Sequence, residues 1–223
     1  MMAKSPDWAK RALGPTLTKA DSLFVDHGIV RLVYLNKVKI GDAAWRAAQP
    51  GPHHLKAFAA DGIKTIVNLR GPRVCGSYWL EQKACRELGL TLVDCQMRSR
   101  AAPNREELRR ARDLFDRIEY PMLMHCKSGA DRAGLMSALY CHTKLGEPIE
   151  KAMQQLSWRY GHIRQADTGI LDHFFEEYLR YAKVQPITFW DWVETVYDPE
   201  VVTKSFQSNG FASRVLSGIL RRE

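Results

Sequence analysis

The chain of 223 residues carries 33 Lys and Arg against 25 Asp and Glu, a formal charge of +8, and is 45% hydrophobic, enough for one good core and a single domain with appendages. Five cysteines, an odd number with no Cys-x2-Cys pair, argue against a complete disulfide framework or a cysteine metal site and fit a reducing cytoplasm. No run reaches the roughly 20 apolar residues of a membrane span and no apolar signal core opens the chain; the charge, lacking a nucleic-acid fingerprint, suits phosphorylated substrates or an acidic lipid surface better than nucleic acid.

In chain order, residues 1–28 read as a loosely helical arm, and Gly28 to Leu35 as a mixed run suited to an edge strand. Trp45-Arg46-Ala-Ala-Gln49-Pro50 leads through the Gly51-Pro52 turn into a helix with Leu55 and Phe58 on its apolar face. Ile63 to Leu69 reads as a buried strand ending at Arg70-Gly71-Pro72. A helix from Gly76 to Leu88, with Tyr78, Trp79, Ala84 and Leu88 inward, precedes a strand at Leu90 to Val93. After a loop at Met97 to Asn104, Arg105 to Ile118 reads as a helix and Tyr120 to His125 as a strand. Helical segments follow near 132–144, 147–158, 168–183 and 187–196, with no internal repeat or low-complexity tract. Strands alternating with helices predict an α/β fold: a central, mostly parallel sheet flanked by helices, with a ligand site at the carboxyl end of its central strand. The predicted division is an arm over 1–28, a domain over 29–185 and a helical C-terminal extension over 186–223 packed on it.

Met122-Leu-Met-His125-Cys126-Lys127-Ser128-Gly129-Ala130-Asp131-Arg132-Ala133-Gly134 sets a cysteine between an apolar run and a glycine-punctuated loop, with an arginine six residues on. A thiolate nucleophile needs a positive environment, and a strand-to-helix turn supplies it through converging backbone N–H groups and the positive helix end. Arg132 adds a planar fork for two phosphate oxygens. This segment resembles the signature of the cysteine-dependent tyrosine and dual-specificity phosphatases, His-Cys, five residues, then Arg. Some members carry a similar Arg-x-x-Gln-Pro element and an Asn-Leu-Arg strand end, here Arg46 to Pro50 and Asn68 to Arg70, so the resemblance spans about residues 40 to 160.

The resemblance implies that Cys126 attacks phosphorus to give a phosphocysteine, that Lys127, Ser128, Gly129, Ala130, Asp131 and Arg132 cradle the phosphate, and that His125 supports the loop. Lys127 matches a lysine of lipid- and inositol-phosphate-directed relatives and reads equally as a solvated side chain. Gly129 permits a backbone angle that the cradle needs, and Gly134 permits close packing of the following helix. Most dual-specificity relatives place a general acid on an upstream loop, but Met97 to Asn104 holds none. Asp131 and Asp94 are the candidates; Asp131 is favoured because it lies inside the loop, as in bacterial and lipid-directed relatives with Cys-x4-Asp-Arg, and Asp94 reads equally as a structural carboxylate. Ala133 replaces the usual Ser or Thr, whose hydroxyl aids departure of the thiolate, and slows the second step. Arg98 and Arg100 are candidates for a second phosphate or an anionic surface. Phe189-Trp190-Asp191-Trp192 and the terminal stripe from Gly210 to Arg222 read as packing elements, the latter with membrane contact as the alternative.

The expected activity is therefore a phosphomonoester phosphatase without cofactor or metal. Its substrate is phosphotyrosine protein or an anionic phospholipid or inositol-type phosphate, and its location is the cytoplasm or the inner face of a membrane. The alternative is a weakly active or inactive phosphate-binding module.

Overall fold

The structure, a computed structural model, describes residues 35–208. The arm over 1–28, most of the suggested strand at Gly28 to Leu35 and the stripe from Gly210 to Arg222 lie outside the described residues. The described chain divides into two compact units, one running through Gln96 and taking in Ile118–Gly129, the other comprising Met97–Arg117 and the chain from Ala130 on.

The first unit holds a five-stranded sheet. Its strands are β1 (Val38–Ile40), β2 (Ala44–Ala48), β3 (Thr65–Asn68), β4 (Thr91–Asp94) and β5 (Met122–Cys126), in the order β1-β2-β5-β3-β4. Only β1 runs antiparallel, against β2; β2, β5, β3 and β4 are mutually parallel, so the mostly parallel α/β sheet expected from the sequence is what the chain forms. Register sets Ala48 beside Cys126, His125 beside Asn68, and Asn68 beside Asp94, so the carboxyl ends of four strands meet at one edge. Along each strand alternate residues take opposite faces. One face carries Ala47, Ile66 and Leu123 into a core with Leu55 and Phe58 of α1 (Pro52–Ala60) and Ala84 and Cys85 of α2 (Gly76–Leu88). The other carries Ala44, Arg46, Val67, Met122 and Met124, all buried.

The second unit is helical: α3 (Arg105–Arg117), α4 (Asp131–Leu145), the single turn α5 (Ile149–Ala152), α6 (Ile170–Val184), α7 (Phe189–Thr195) and a last helical run over 199–208. A reciprocal cap starts α3: Glu107 N–H donates to Asn104 Oδ1 at 2.7 Å and Asn104 N–H to Glu107 Oε2 at 2.9 Å. Leu108, Ala111 and Phe115 at helical spacing bury its inner face, and Phe115 meets Tyr140 of α4 edge-on with ring centroids 5.4 Å apart. Phe189 and Trp192 pack on Phe174 of α6, with Tyr197 on the same ring, so this aromatic pair is core.

Three local expectations need correction. Trp79 is 47% exposed because the inward stripe of α2 runs through Tyr78, Glu81 and Cys85, one residue out of phase with it; Lys83 covers its ring instead. The helix read over 147–158 is one α-turn followed by 3-10 turns at Met153–Gln155 and Trp158–Tyr160, because Leu156 leaves helical geometry at φ −93°, ψ 88°. Ala44–Ala48, read only as the lead-in to a turn, is a buried parallel strand next to the central one.

Candidate active site

Cys126 is the last residue of the central strand, 2% exposed, and Lys127 to Ala130 turn the chain from β5 into α4. Gly129 makes that turn possible twice over. Its φ is +75°, and a Cβ on it would stand 2.7 Å from Ala48 N and 2.8 Å from Ala47 C, both backbone atoms that cannot yield. The buried Arg46 donates from Nη2 to Gly129 O at 2.8 Å, and Asn36 Nδ2 donates to Ser128 O at 3.2 Å. A loop whose carbonyls are held by the scaffold in this way can turn its amides toward an anion. Helix α4 then starts at Asp131 without a side-chain cap on Ala130, so its first N–H groups are not spent on a capping side chain.

Beneath the cysteine lies a buried polar chain that joins the two upstream elements singled out in the sequence. Arg70 Nη1 donates to Gln49 Oε1, Gln49 Nε2 donates to Glu81 Oε2 at 3.0 Å, and Glu81 Oε1 lies 2.6 Å from His125 Nε2. The last contact has the length of an ion pair but not the angle of a hydrogen bond. Arg70, Gln49, Glu81 and His125 are all at most 5% exposed. Glu81→Leu removes the acceptor of the Gln49 amide and the carboxylate that lies 2.6 Å from His125, at roughly 1–3 kcal/mol for the buried amide donor left without its acceptor. A urea midpoint lowered to match, at unchanged slope, is the expected result; a midpoint within error of the parent would show that Glu81 carries no structural weight.

The candidate carboxylates differ in their surroundings. Asp94, at the end of β4, accepts at Oδ1 from Asn68 Nδ2 (2.7 Å) and at Oδ2 from the Tyr78 hydroxyl (2.5 Å), so both oxygens are engaged. Burial and that bond push the Tyr78 phenol up to about 12, which keeps it a donor. Asp131 opens α4 with its side chain 25% exposed; Oδ1 lies 2.7 Å from His162 Nδ1, while Oδ2 takes no hydrogen bond among the described residues. His162 in turn sets Nε2 2.6 Å from Asp172 Oδ2 on α6. Burial resists charge on this ring, but the two carboxylates, Asp131 and Asp172, outweigh it and raise its pKa from 6.5 to about 9.

The sign of the resulting linkage is set by a folded-state pKa above the unfolded one. The ring's contribution to stability is complete below pH 6.5 and is lost as pH rises through about 9. The parent therefore loses stability between pH 6.5 and 9 relative to His162→Gln in urea titrations, and parallel pH profiles for the two proteins would contradict the assignment.

Of the other sequence candidates, Arg132 is half-buried in the first turn of α4 and Ala133 is fully buried, its carbonyl accepting from Ser137 Oγ at 2.5 Å. Lys127 is half-buried and Ser128 exposed. Arg98, on the loop before α3, places Nε 3.0 Å from Glu107 Oε2, and Arg100 is exposed. Cys126 and Gly129 belong to the first unit and Asp131 and Arg132 to the second, the chain crossing at the Gly129–Ala130 bond. Among the described residues no group of His, Cys, Asp and Glu has the arrangement of a metal site.

Glu81, His162 and Asp172 escaped the sequence reading altogether, and Arg46 was seen there only as part of a motif, not as the residue that grips the loop. Arg46, Glu81 and Asp172 each carried a signal, a charge on an otherwise apolar stripe: Arg46 between Ala44 and Ala48 on its face of the strand, Glu81 in phase with Tyr78 and Cys85, Asp172 among Ile170, Leu171, Phe174 and Phe175. His162 carried none, because only the tertiary fold brings it to Asp131.

Sheet, signature loop and buried supports together define a cysteine-dependent phosphatase of the dual-specificity superfamily. The family described as DSP-PTPase phosphatase fused to NAD+ kinase matches residues 35–169, and the chain belongs to it. Among solved structures the fold is similar to TpbA of P. aeruginosa, at 21% identity over 68% of this chain and 92% of that one, with a TM-score of 0.51. A TpbA variant in complex with pTyr matches at the same identity and TM-score, over 68% of this chain and 91% of that one. A DUF442 protein of Shewanella putrefaciens CN-32 matches at 16% identity over 68% of this chain and 96% of that one, with a TM-score of 0.52. No curated protein matches the chain. Among the described residues no helix is long and apolar enough to cross a membrane.

Proposed function

We propose that the protein hydrolyses phosphomonoesters through a phosphocysteine on Cys126, within a phosphatase domain over 29–185. The observation that carries this reading is a cysteine at the carboxyl end of the central parallel strand, followed by a glycine turn braced by Arg46 and by the uncapped start of a 15-residue helix. The Cys126 thiolate attacks phosphorus as the bond to the leaving oxygen breaks, with phosphate oxygens held by the loop and the Arg132 fork. Asp131 gives its proton to the leaving oxygen. Water then attacks phosphorus, the S–P bond breaks, Asp131 takes up the water's proton, and phosphate departs. Asp131 rather than Asp94 is assigned this role because Oδ2 of Asp131 has no competing bond among the described residues, whereas both oxygens of Asp94 are spent on Asn68 and Tyr78.

The substrate class is phosphotyrosine protein or an anionic phospholipid or inositol-type phosphate. The half-buried Lys127, the exposed Arg100 and the +8 charge favour a multiply charged ester, with the acidic inner face of a membrane as a compatible setting. All five cysteines are free, which suits a reducing cytoplasm. A second reading, a weakly active or inactive phosphate-binding module, is favoured by the fully buried Ala133, which offers no hydroxyl to the departing thiolate. Rapid mixing with p-nitrophenyl phosphate separates the two. The enzyme releases a burst of nitrophenol equal to the protein present and then turns over slowly, because breakdown of the phosphocysteine is limiting. A pure binding module releases none.

A further inference from the structure

Asp131, His162 and Asp172 form a line of three polar side chains at the start of α4. His162 is 2% exposed, and its two ring nitrogens lie 2.7 Å and 2.6 Å from carboxylate oxygens. A carboxylate only accepts, so two such contacts on one imidazole call for a proton on each nitrogen. The ring is fixed from both ends: Asp172, buried on α6 among Ile170, Leu171, Phe174 and Phe175, anchors Nε2, and Nδ1 reaches Asp131. Gly161, just before it, turns the chain at φ +80°, and a Cβ built there would come within 3.8 Å of Ala130 Cβ, so this turn passes beside Ala130. An aspartate at the first residue of a helix otherwise samples several rotamers and can turn back to its own helix end. Here Oδ1 is occupied by His162, and Oδ2 is the oxygen left for chemistry.

We propose that His162, anchored by Asp172, is a positioning residue for Asp131, holding the carboxyl group by Oδ1 so that Oδ2 exchanges the proton with the leaving oxygen and with water. The inference rests on the reading of Asp131 as general acid. His162 acts through Asp131, by removing rotational freedom from its carboxyl group. The imidazolium also stabilises the aspartate anion at the moment its proton has left. Nothing in this arrangement depends on Cys126 or Arg132, so binding of phosphate and attack by the thiolate are left intact when it is broken.

The test compares two substitutions that divide the histidine's two bonds. In His162→Asn the amide nitrogen falls where Nδ1 stood and keeps the bond to Asp131 while losing Asp172; in His162→Gln the longer side chain reaches toward Asp172 and gives up Asp131. Both are assayed on phenyl phosphate, whose leaving group needs a proton, and on an activated dinitrophenyl phosphate, which does not, alongside Asp131→Asn. His162→Gln is expected to lose about 10- to 100-fold in kcat/KM on phenyl phosphate, part of the ~10²–10⁴-fold of general acid catalysis, with little change on the activated ester. His162→Asn is expected to recover most of that loss. Equal losses on both esters, or no difference between the Asn and Gln variants, would overturn the proposal. If Asp131→Asn is selective for phenyl phosphate and His162→Gln is not, the proposal falls while the general-acid reading stands; if Asp131→Asn itself shows no selectivity, both fall. Should either variant fail to fold, nitrogen NMR of the parent protein decides: at pH 7 the His162 ring carries a proton on both nitrogens, and a ring with one bare nitrogen overturns the proposal.

Discussion

In Cys126→Ser, turnover of p-nitrophenyl phosphate falls by roughly 10⁴-fold or more, the scale seen when an enzyme's nucleophile is removed. The thiol sits where strand β5 ends, and no other cysteine replaces it. Cys85 lies on the buried face of α2, and burial together with Glu81 pushes its thiol up to about 12. A serine hydroxyl at ordinary pH is a poor nucleophile, yet it is smaller than the thiol and leaves the backbone of the loop undisturbed. Phosphate binding therefore survives, because Arg46 on Gly129, the glycine turn and the Arg132 fork do not involve the sulfur. The expected signature is thus a split: catalysis lost, and inorganic phosphate still protecting the variant against thermal unfolding. Residual hydrolysis within tenfold of the parent would rule out the covalent route, and loss of binding together with turnover would mean that the sulfur holds the loop together.

The second large effect belongs to Asp131. Asp131→Asn keeps the size of the side chain and removes the exchangeable proton, so esters of poor leaving groups slow by about 10²–10⁴-fold while an activated aryl phosphate slows far less. The geometry makes Asp94→Asn the natural control. Its carboxylate is spent on Asn68 and Tyr78, so the loss there is one of stability and falls evenly on both esters. A leaving-group-selective loss in Asp94→Asn rather than in Asp131→Asn would exchange the two assignments.

How much of this was legible beforehand follows from where the information lies. The helices α1, α2, α3, α4 and α6 were readable because each carries its own periodic stripe and a local start or stop, such as Pro52 at the head of α1, Gly89 past the end of α2 and the Asn104–Glu107 cap. The signature loop was readable because its chemistry is contiguous. Strand β2 was not, since Ala-Trp-Arg-Ala-Ala has neither β-branched residues nor clean alternation, and it becomes a strand only by pairing with β5 and β1. The supports of the site were hidden for a related reason. Gln49, Glu81 and His125 meet over 76 residues of chain, and Asp131, His162 and Asp172 over 41, so neither grouping leaves a local pattern. The Arg-x-x-Gln-Pro and Asn-Leu-Arg elements could be seen as motifs, but that Arg46 grips the loop and Gln49 and Arg70 share one buried chain with His125 is visible only in three dimensions.

The most direct test of the account is to trap the intermediate. The protein is mixed with p-nitrophenyl phosphate, quenched in the steady state, digested at a pH that preserves thiophosphate esters, and the peptide spanning Met122 to Arg132 is weighed. A phosphocysteine route leaves one phosphoryl group on Cys126 in a large fraction of the molecules, absent from Cys126→Ser. Steady hydrolysis with this peptide unmodified, or a phosphoryl group found on any other residue, would contradict it.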